Sequence, residues 1–71
     1  MFNIGDKVYF ISKVNEKPIC GYVVKIEIDP EFEEDVKEVS VFYTVRVFRD
    51  FYTNGYADFT RMKDELYHAK D

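Results

Sequence analysis

Short stretches of alternating apolar and polar residues, separated by turn-forming residues, run along this chain. In the first, Gly5-Asp6 marks a turn, and Lys7 to Ile11 is rich in β-formers. Both parities are apolar there, with Val8 and Phe10 on one and Tyr9 and Ile11 on the other, as in a strand either internal to a small barrel or covered on its outer face. Asn15-Glu16-Lys17-Pro18 breaks the pattern, because proline cannot donate to a continuing ladder. Ile19 to Ile28 then alternates with period two. Tyr22, Val24, Ile26 and Ile28 fall on one face, and Val23, Lys25 and Glu27 on the other. Gly21, inside this strand, marks a bulge or a close backbone crossing.

Val39 to Phe48 carries the strongest strand signal. Val39, Val41, Tyr43, Val45 and Val47 belong to the core, and Ser40, Phe42, Thr44, Arg46 and Phe48 to the opposite face. Residues 49–61 read as a hairpin. Asn54-Gly55 suits a two-residue type I′ turn, with Phe51-Tyr52 before it and Tyr56 to Phe59 after it. Thr60 is placed to cap a helical turn, after which Met62, Leu66 and Tyr67 plug one end of the sheet. His68 to Asp71 is a tail with room for one last short strand.

Several short strands in so few residues predict an all-β fold, a small barrel of about five antiparallel strands with a short helical turn near the C-terminus. At 71 residues, there is room for one domain. Thirteen residues are Phe or Tyr and 46% are apolar, which is too rich a core for a disordered chain.

The quoted segments also resemble a known group. Ile4-Gly5-Asp6-Lys7-Val8-Tyr9-Phe10, Gly21-Tyr22-Val23-Val24-Lys25-Ile26 and Tyr43-Thr44-Val45 are similar to the SH3-like small barrels, which open with Gly-Asp-x-Val and continue into Gly-x-Val-x-x-Ile. The ending Arg61-Met62-Lys63-Asp64-Glu65-Leu66-Tyr67 resembles the Arg-x-x-Asp-Glu-Leu-Phe close of short uncharacterised proteins from phages and prophages of Gram-positive bacteria. The likeness spans roughly residues 4–28 and 39–67 and departs at the acidic loop and at Asp71, beyond which the family often continues into a helix. It implies an SH3-like barrel, a fold that serves many tasks, and a phage-encoded protein that binds a host protein.

Charge isolates one segment. Ten basic and fourteen acidic residues give −4. Residues 27–38 hold seven acids and one lysine, so this stretch carries −6 and the remainder +2. Within it, residues 29–38 form an acidic loop in which Glu31, Glu33, Glu34 and Asp35 repel one another and stay solvated. Such a loop steers the domain toward a basic surface on a partner. It lacks the glycine and the alternating ligands of a calcium loop, so no metal site is expected.

Catalytic chemistry finds little support. His68 is the only histidine, has no serine or cysteine near it in sequence, and reads as a surface residue. Cys20, the only cysteine, reads as a small buried thiol. The paired carboxylates lie in a solvated run with no apolar pocket to separate their pKa values. No cofactor motif is present, and a non-enzymatic binding module is expected.

Its candidate contacts are the four acids and the set Phe42, Arg46, Phe48, Phe51, Tyr52 and Tyr56, since aromatics and arginine dominate interface hot spots. The first expectation is a protein partner, with the chain a monomer or a homodimer. The alternative is a nucleic-acid-binding barrel using the same aromatic and arginine face, opposed by the net charge because phosphate contacts dominate affinity. The longest apolar run is four residues, Val8 to Ile11, too short to span a membrane. The N-terminus lacks the basic start and apolar stretch of a secretory signal, so a cytoplasmic location is expected.

Overall fold

The structure is a computed structural model that describes residues 2–29 and 40–69. Five antiparallel strands make one sheet: β1 Lys7–Ile11, β2 Pro18–Asp29, β3 Ser40–Phe48, β4 Tyr56–Met62 and β5 Tyr67–His68. Their order is β4-β3-β2-β1-β5, so the first four form a meander and β5 returns to pair with β1. A 3-10 turn, Lys63–Glu65, joins β4 to β5. The expected all-β class, strand number and late helical turn are all present.

The sheet rolls up on itself. The rings of Phe10 in β1 and Phe59 in β4 lie 5.3 Å apart. Those strands are three ladder spacings apart, about 14 Å in a flat sheet. Facing sides therefore meet around Val8, Phe10, Val23, Tyr43, Val45 and Val47, with Phe2 and Leu66 completing the buried cluster. No ladder joins β4 to β5 among the described residues, so closure rests on side chains and both sheet edges persist.

The roll turns on β2. Its residues Pro18 to Tyr22 pair with β1, and Tyr22 to Asp29 pair with β3, the change of partner falling at Tyr22. A Cβ on the neighbouring Gly21 would lie 2.6 Å from the Arg46 carbonyl oxygen and 2.7 Å from Val45 Cγ1. Only glycine lets the two strands approach so closely, which is the crossing its place in the sequence predicts.

The bulge lies three residues further on. The register with β3 shifts between Val23 and Lys25, leaving Val24 extra. One inserted residue reverses the parity of everything on one side of it. Val23 is fully buried and Ile26 packs against the core, whereas Tyr22 is 43% exposed. This corrects the single alternating face drawn from Tyr22 to Ile28.

Two further expectations change. The Asn54-Gly55 pair does not form a type I′ turn, because Gly55 takes a positive φ of 80° and Asn54 does not. Residues 49–55 fold instead as two successive turns, Tyr52 N–H donating to Arg49 O at 3.2 Å and Gly55 N–H to Tyr52 O at 2.9 Å. The longer loop brings Tyr52 back against the core, which a two-residue reversal cannot do. Thr60 caps nothing. It pairs with Thr44 within β4, and the 3-10 turn begins after Met62, whose N–H donates to Glu65 Oε1 at 3.1 Å. Leu66 alone plugs the end, at 5% exposure, while Met62 and Tyr67 remain exposed.

The N-terminal turn behaves as expected. Gly5 sits at φ 93°, Asp6 N–H donates to Asn3 O at 3.0 Å, and Asn3 N–H donates to the Asp6 carboxylate at 2.8 Å. Gly5 N–H then donates to Val23 O at 2.7 Å, tying the turn to β2.

Candidate functional site

Alternation along β3 sends Tyr43, Val45 and Val47 inward and leaves Phe42, Thr44, Arg46 and Phe48 on the outer face. The register then supplies their neighbours. Arg46 stands between Tyr22 of β2 and Asp58 of β4, and Phe48 stands opposite Tyr56. Phe42, four residues away along the strand, lies between Glu27 and Met62.

Arg46 organises the centre of this face. Its Nε donates to Asp58 Oδ1 at 2.9 Å and its Nη2 to Asp58 Oδ2 at 3.1 Å, a two-pronged pair. The same guanidinium lies 4.1 Å from the centroid of the Tyr56 ring, within cation–π range. Its hydrogen bonds hold the Asp58 carboxyl below the usual carboxylate range, and Asp58 in turn raises the Arg46 pKa. Around this neutral pair the rings of Tyr22 and Phe48 are 6.3 Å apart, as are those of Phe48 and Tyr56. Phe48 is 54% exposed, and Tyr22 and Tyr56 are also exposed. Three rings in water around a fixed charge pair make a rigid, sticky surface with little conformational entropy to lose on binding.

The predicted contacts divide accordingly. Arg46, Phe48 and Tyr56 come together, and Phe42 shares their face, half-buried, at its far end. Phe51, at 78% exposure, stands on the adjoining loop against Tyr52, ring centroids 4.5 Å apart. Tyr52 itself is half-buried and packs against the core. Glu31, Glu33, Glu34 and Asp35 lie outside the described residues. Tyr22 is the member that sequence reasoning missed, since the bulge at Val24 moves it off the core parity.

A second aromatic pair occupies the other end of the outer surface. Tyr9 and Tyr67 stack at 5.1 Å and 19°. Beside them a shallow, open depression of about 390 Å³ is lined by Tyr9, Ile11, Pro18, Cys20 and Ala69. Cys20 is exposed there and not buried, because its side chain takes the outer parity of β2, opposite Tyr9. His68 pairs with Val8 in β5 and sets its exposed ring 4.4 Å from that of Phe2. Among the described residues no three His, Cys, Asp or Glu side chains gather into a metal-binding group. Nor is any helix among them long and apolar enough to cross a membrane.

No protein-family model matches the chain, and neither a curated protein nor a solved structure does.

Proposed function

We propose that this chain is a non-enzymatic binding module whose outer β2–β3–β4 face docks onto another protein. The observation that carries the reading is the exposed trio Tyr22, Phe48 and Tyr56 fixed around the Arg46–Asp58 pair. Exposed aromatics with an arginine at their centre have the composition of an interface hot spot. The neutrality of the pair matters as well, because such a face can be desolvated without stranding a charge.

The same pair weakens the nucleic-acid reading. Asp58 takes the Nε–Nη2 edge of Arg46 and neutralises its charge, which lowers its attraction for a phosphate. The acidic stretch 27–38 repels a polyanion and favours a partner with a basic surface, which it reaches faster through electrostatic steering. With the likeness to SH3-like barrels of Gram-positive phages and prophages, the reading becomes a small cytoplasmic protein, phage- or prophage-encoded, that binds a host protein.

The test is retention. Tagged protein is passed through lysate of a Gram-positive host, alongside the double variant Tyr22→Ala/Phe48→Ala. Both side chains point outward, so the variant melts within a few degrees of the parent. The reading predicts one retained protein whose affinity for the variant falls on the order of 30-fold or more. Equal retention by both would remove the aromatic face from the interaction. Binding to a single-stranded oligonucleotide that weakens steeply with salt would replace the protein partner with a nucleic acid.

A further inference from the structure

The two edges of the sheet are not alike. β5 offers two residues, whereas β4 offers seven and carries no proline or bulge, and its two charges are already engaged, Asp58 by Arg46 and Arg61 over the Phe10 ring. The direction of its free backbone groups follows from the ladder. Arg49 N–H donates to Gly55 O at 3.1 Å, so residues 49 and 55 form a hydrogen-bonded pair. Counting on through the unbroken register, Ala57, Phe59 and Arg61 bond to β3, while Tyr56, Asp58, Thr60 and Met62 turn their N–H and C=O groups toward the open edge. Two of these groups are capped by side chains. Arg61 Nη1 donates to Thr60 O at 2.8 Å, and Met62 N–H donates to Glu65 Oε1. Among the described residues the rest have no partner. The inward side chains Ala57, Phe59 and Arg61 are also only half-covered, unlike Tyr43, Val45 and Val47 beside them in β3.

From this geometry we infer that β4 is a self-association edge, occupied by β4 of a second copy in an antiparallel pair whose two-fold axis passes through Phe59. Only this register pairs all seven residues. It sets Tyr56 against Met62 of the partner strand, Ala57 against Arg61, and Asp58 against Thr60, with no like charges opposed. Its parity matches, because Phe59 then sits at a non-hydrogen-bonded position and the edge-facing groups meet one another. An axis through Asp58 would oppose two carboxylates, and one through Thr60 would run past the strand end into the 3-10 turn. Pairing β4 with the partner's β5 would give at most two residues of ladder. The joined sheet is continuous across the axis, covers Phe59 with its symmetry mate, and places both aromatic faces on one side. The two caps must let go when the copies pair. Both are exposed, and they set the association weak without blocking it.

Sedimentation velocity of the full chain, from micromolar to about 1 mM, tests this directly. The predicted result is a concentration-dependent shift from the 8.5 kDa monomer toward a dimer of about 17 kDa. Thr60→Pro removes an edge-facing donor that the monomer does not use, and should give monomer throughout while keeping the strand spectrum. Glu65→Ala leaves the strand intact and frees Met62 N–H for the partner strand, so it should tighten the dimer a few-fold. The glutamate variant carries the test if the proline disturbs folding. A parent that stays monomeric at the highest concentration, a dimer indifferent to Thr60→Pro, or a Glu65→Ala dimer that is no tighter would each overturn the inference. The proposed partner face is read separately, since these variants leave Tyr22, Phe48 and Tyr56 untouched.

Discussion

Replacing Gly21 by alanine probes the hinge on which the fold turns. The φ angle there is not positive, so the added methyl meets no backbone strain of its own. It meets atoms instead, the Arg46 carbonyl oxygen at 2.6 Å and Val45 Cγ1 at 2.7 Å. One belongs to the β3 backbone and the other to a fully buried side chain, so neither can swing aside without moving the ladder. Overpacking of this kind costs about 1–3 kcal/mol. Against it stands the usual gain of about 0.4–1 kcal/mol when alanine reduces the freedom of the unfolded chain. The net expectation is a loss of about 1–2 kcal/mol, from a total stability of roughly 4–10 kcal/mol for a domain of this length. With a urea m value of about 1 kcal/mol/M, the midpoint falls by about 1–2 M, and Tm falls by about 5–15 °C. Urea unfolding followed by far-ultraviolet circular dichroism measures the change, because the chain has no tryptophan to report it. The sign is decisive. If β2 does not cross β3 closely at this point, the unfolded-state term stands alone and Gly21→Ala raises the midpoint, which would refute the reasoning.

Other expectations follow from single contacts. Asp58 titrates below its ordinary value because Arg46 donates to it, so its contribution to stability is present above about pH 3.8 and fades as the pH drops through the depressed folded value. Asp58→Asn should flatten that acid limb in pH-dependent urea melts, and an unchanged slope would show the pair to be absent in solution. Lys25, raised by its bond to Glu27, contributes below pH 10.5 and loses its part above its raised folded value. Removing Glu27 should therefore soften the alkaline limb of the same melts. Leu66→Ala should cost about 2–4 kcal/mol by opening a cavity at the plugged end, whereas Met62→Ala, at 39% exposure, should stay within about 0.5 kcal/mol. Equal losses would mean that Met62 fills the core after all.

What the sequence reveals, and what it conceals, follows from which interactions are local. β3 is legible because Tyr43, Val45 and Val47 alternate with outward residues and are buried. β1, apolar at both parities, buries Val8 and Phe10 but leaves Ile11 exposed, so its second face is not covered as its sequence predicts. Gly21 is legible because no other residue tolerates such a close crossing. The bulge at Val24 is not, since a β-branched valine looks like any strand residue and the insertion shows only against the partner strand. That one hidden residue accounts for the misplaced Tyr22. Thr60 misleads for a related reason. Its cap preference is a local tendency, while its ladder with Thr44 comes from β3, sixteen residues back. The outer set Arg46, Phe48 and Tyr56 could be drawn up from parity and hairpin pairing, but the bond that neutralises Arg46 depended on knowing that Asp58 stands opposite.

The claim that a protein docks on the face around Arg46 is tested most directly by hydroxyl-radical footprinting of the chain, alone and with its retained partner. Tyr22, Phe48 and Tyr56 are exposed, as is Tyr67 at the other end of the surface, while Tyr43 is buried. The account predicts that the partner protects Tyr22, Phe48 and Tyr56, leaves Tyr67 reactive, and finds Tyr43 silent in both states. Protection of Tyr67 and Tyr9, with Phe48 and Tyr56 still reactive, would contradict it and move the binding surface to the β1–β5 end.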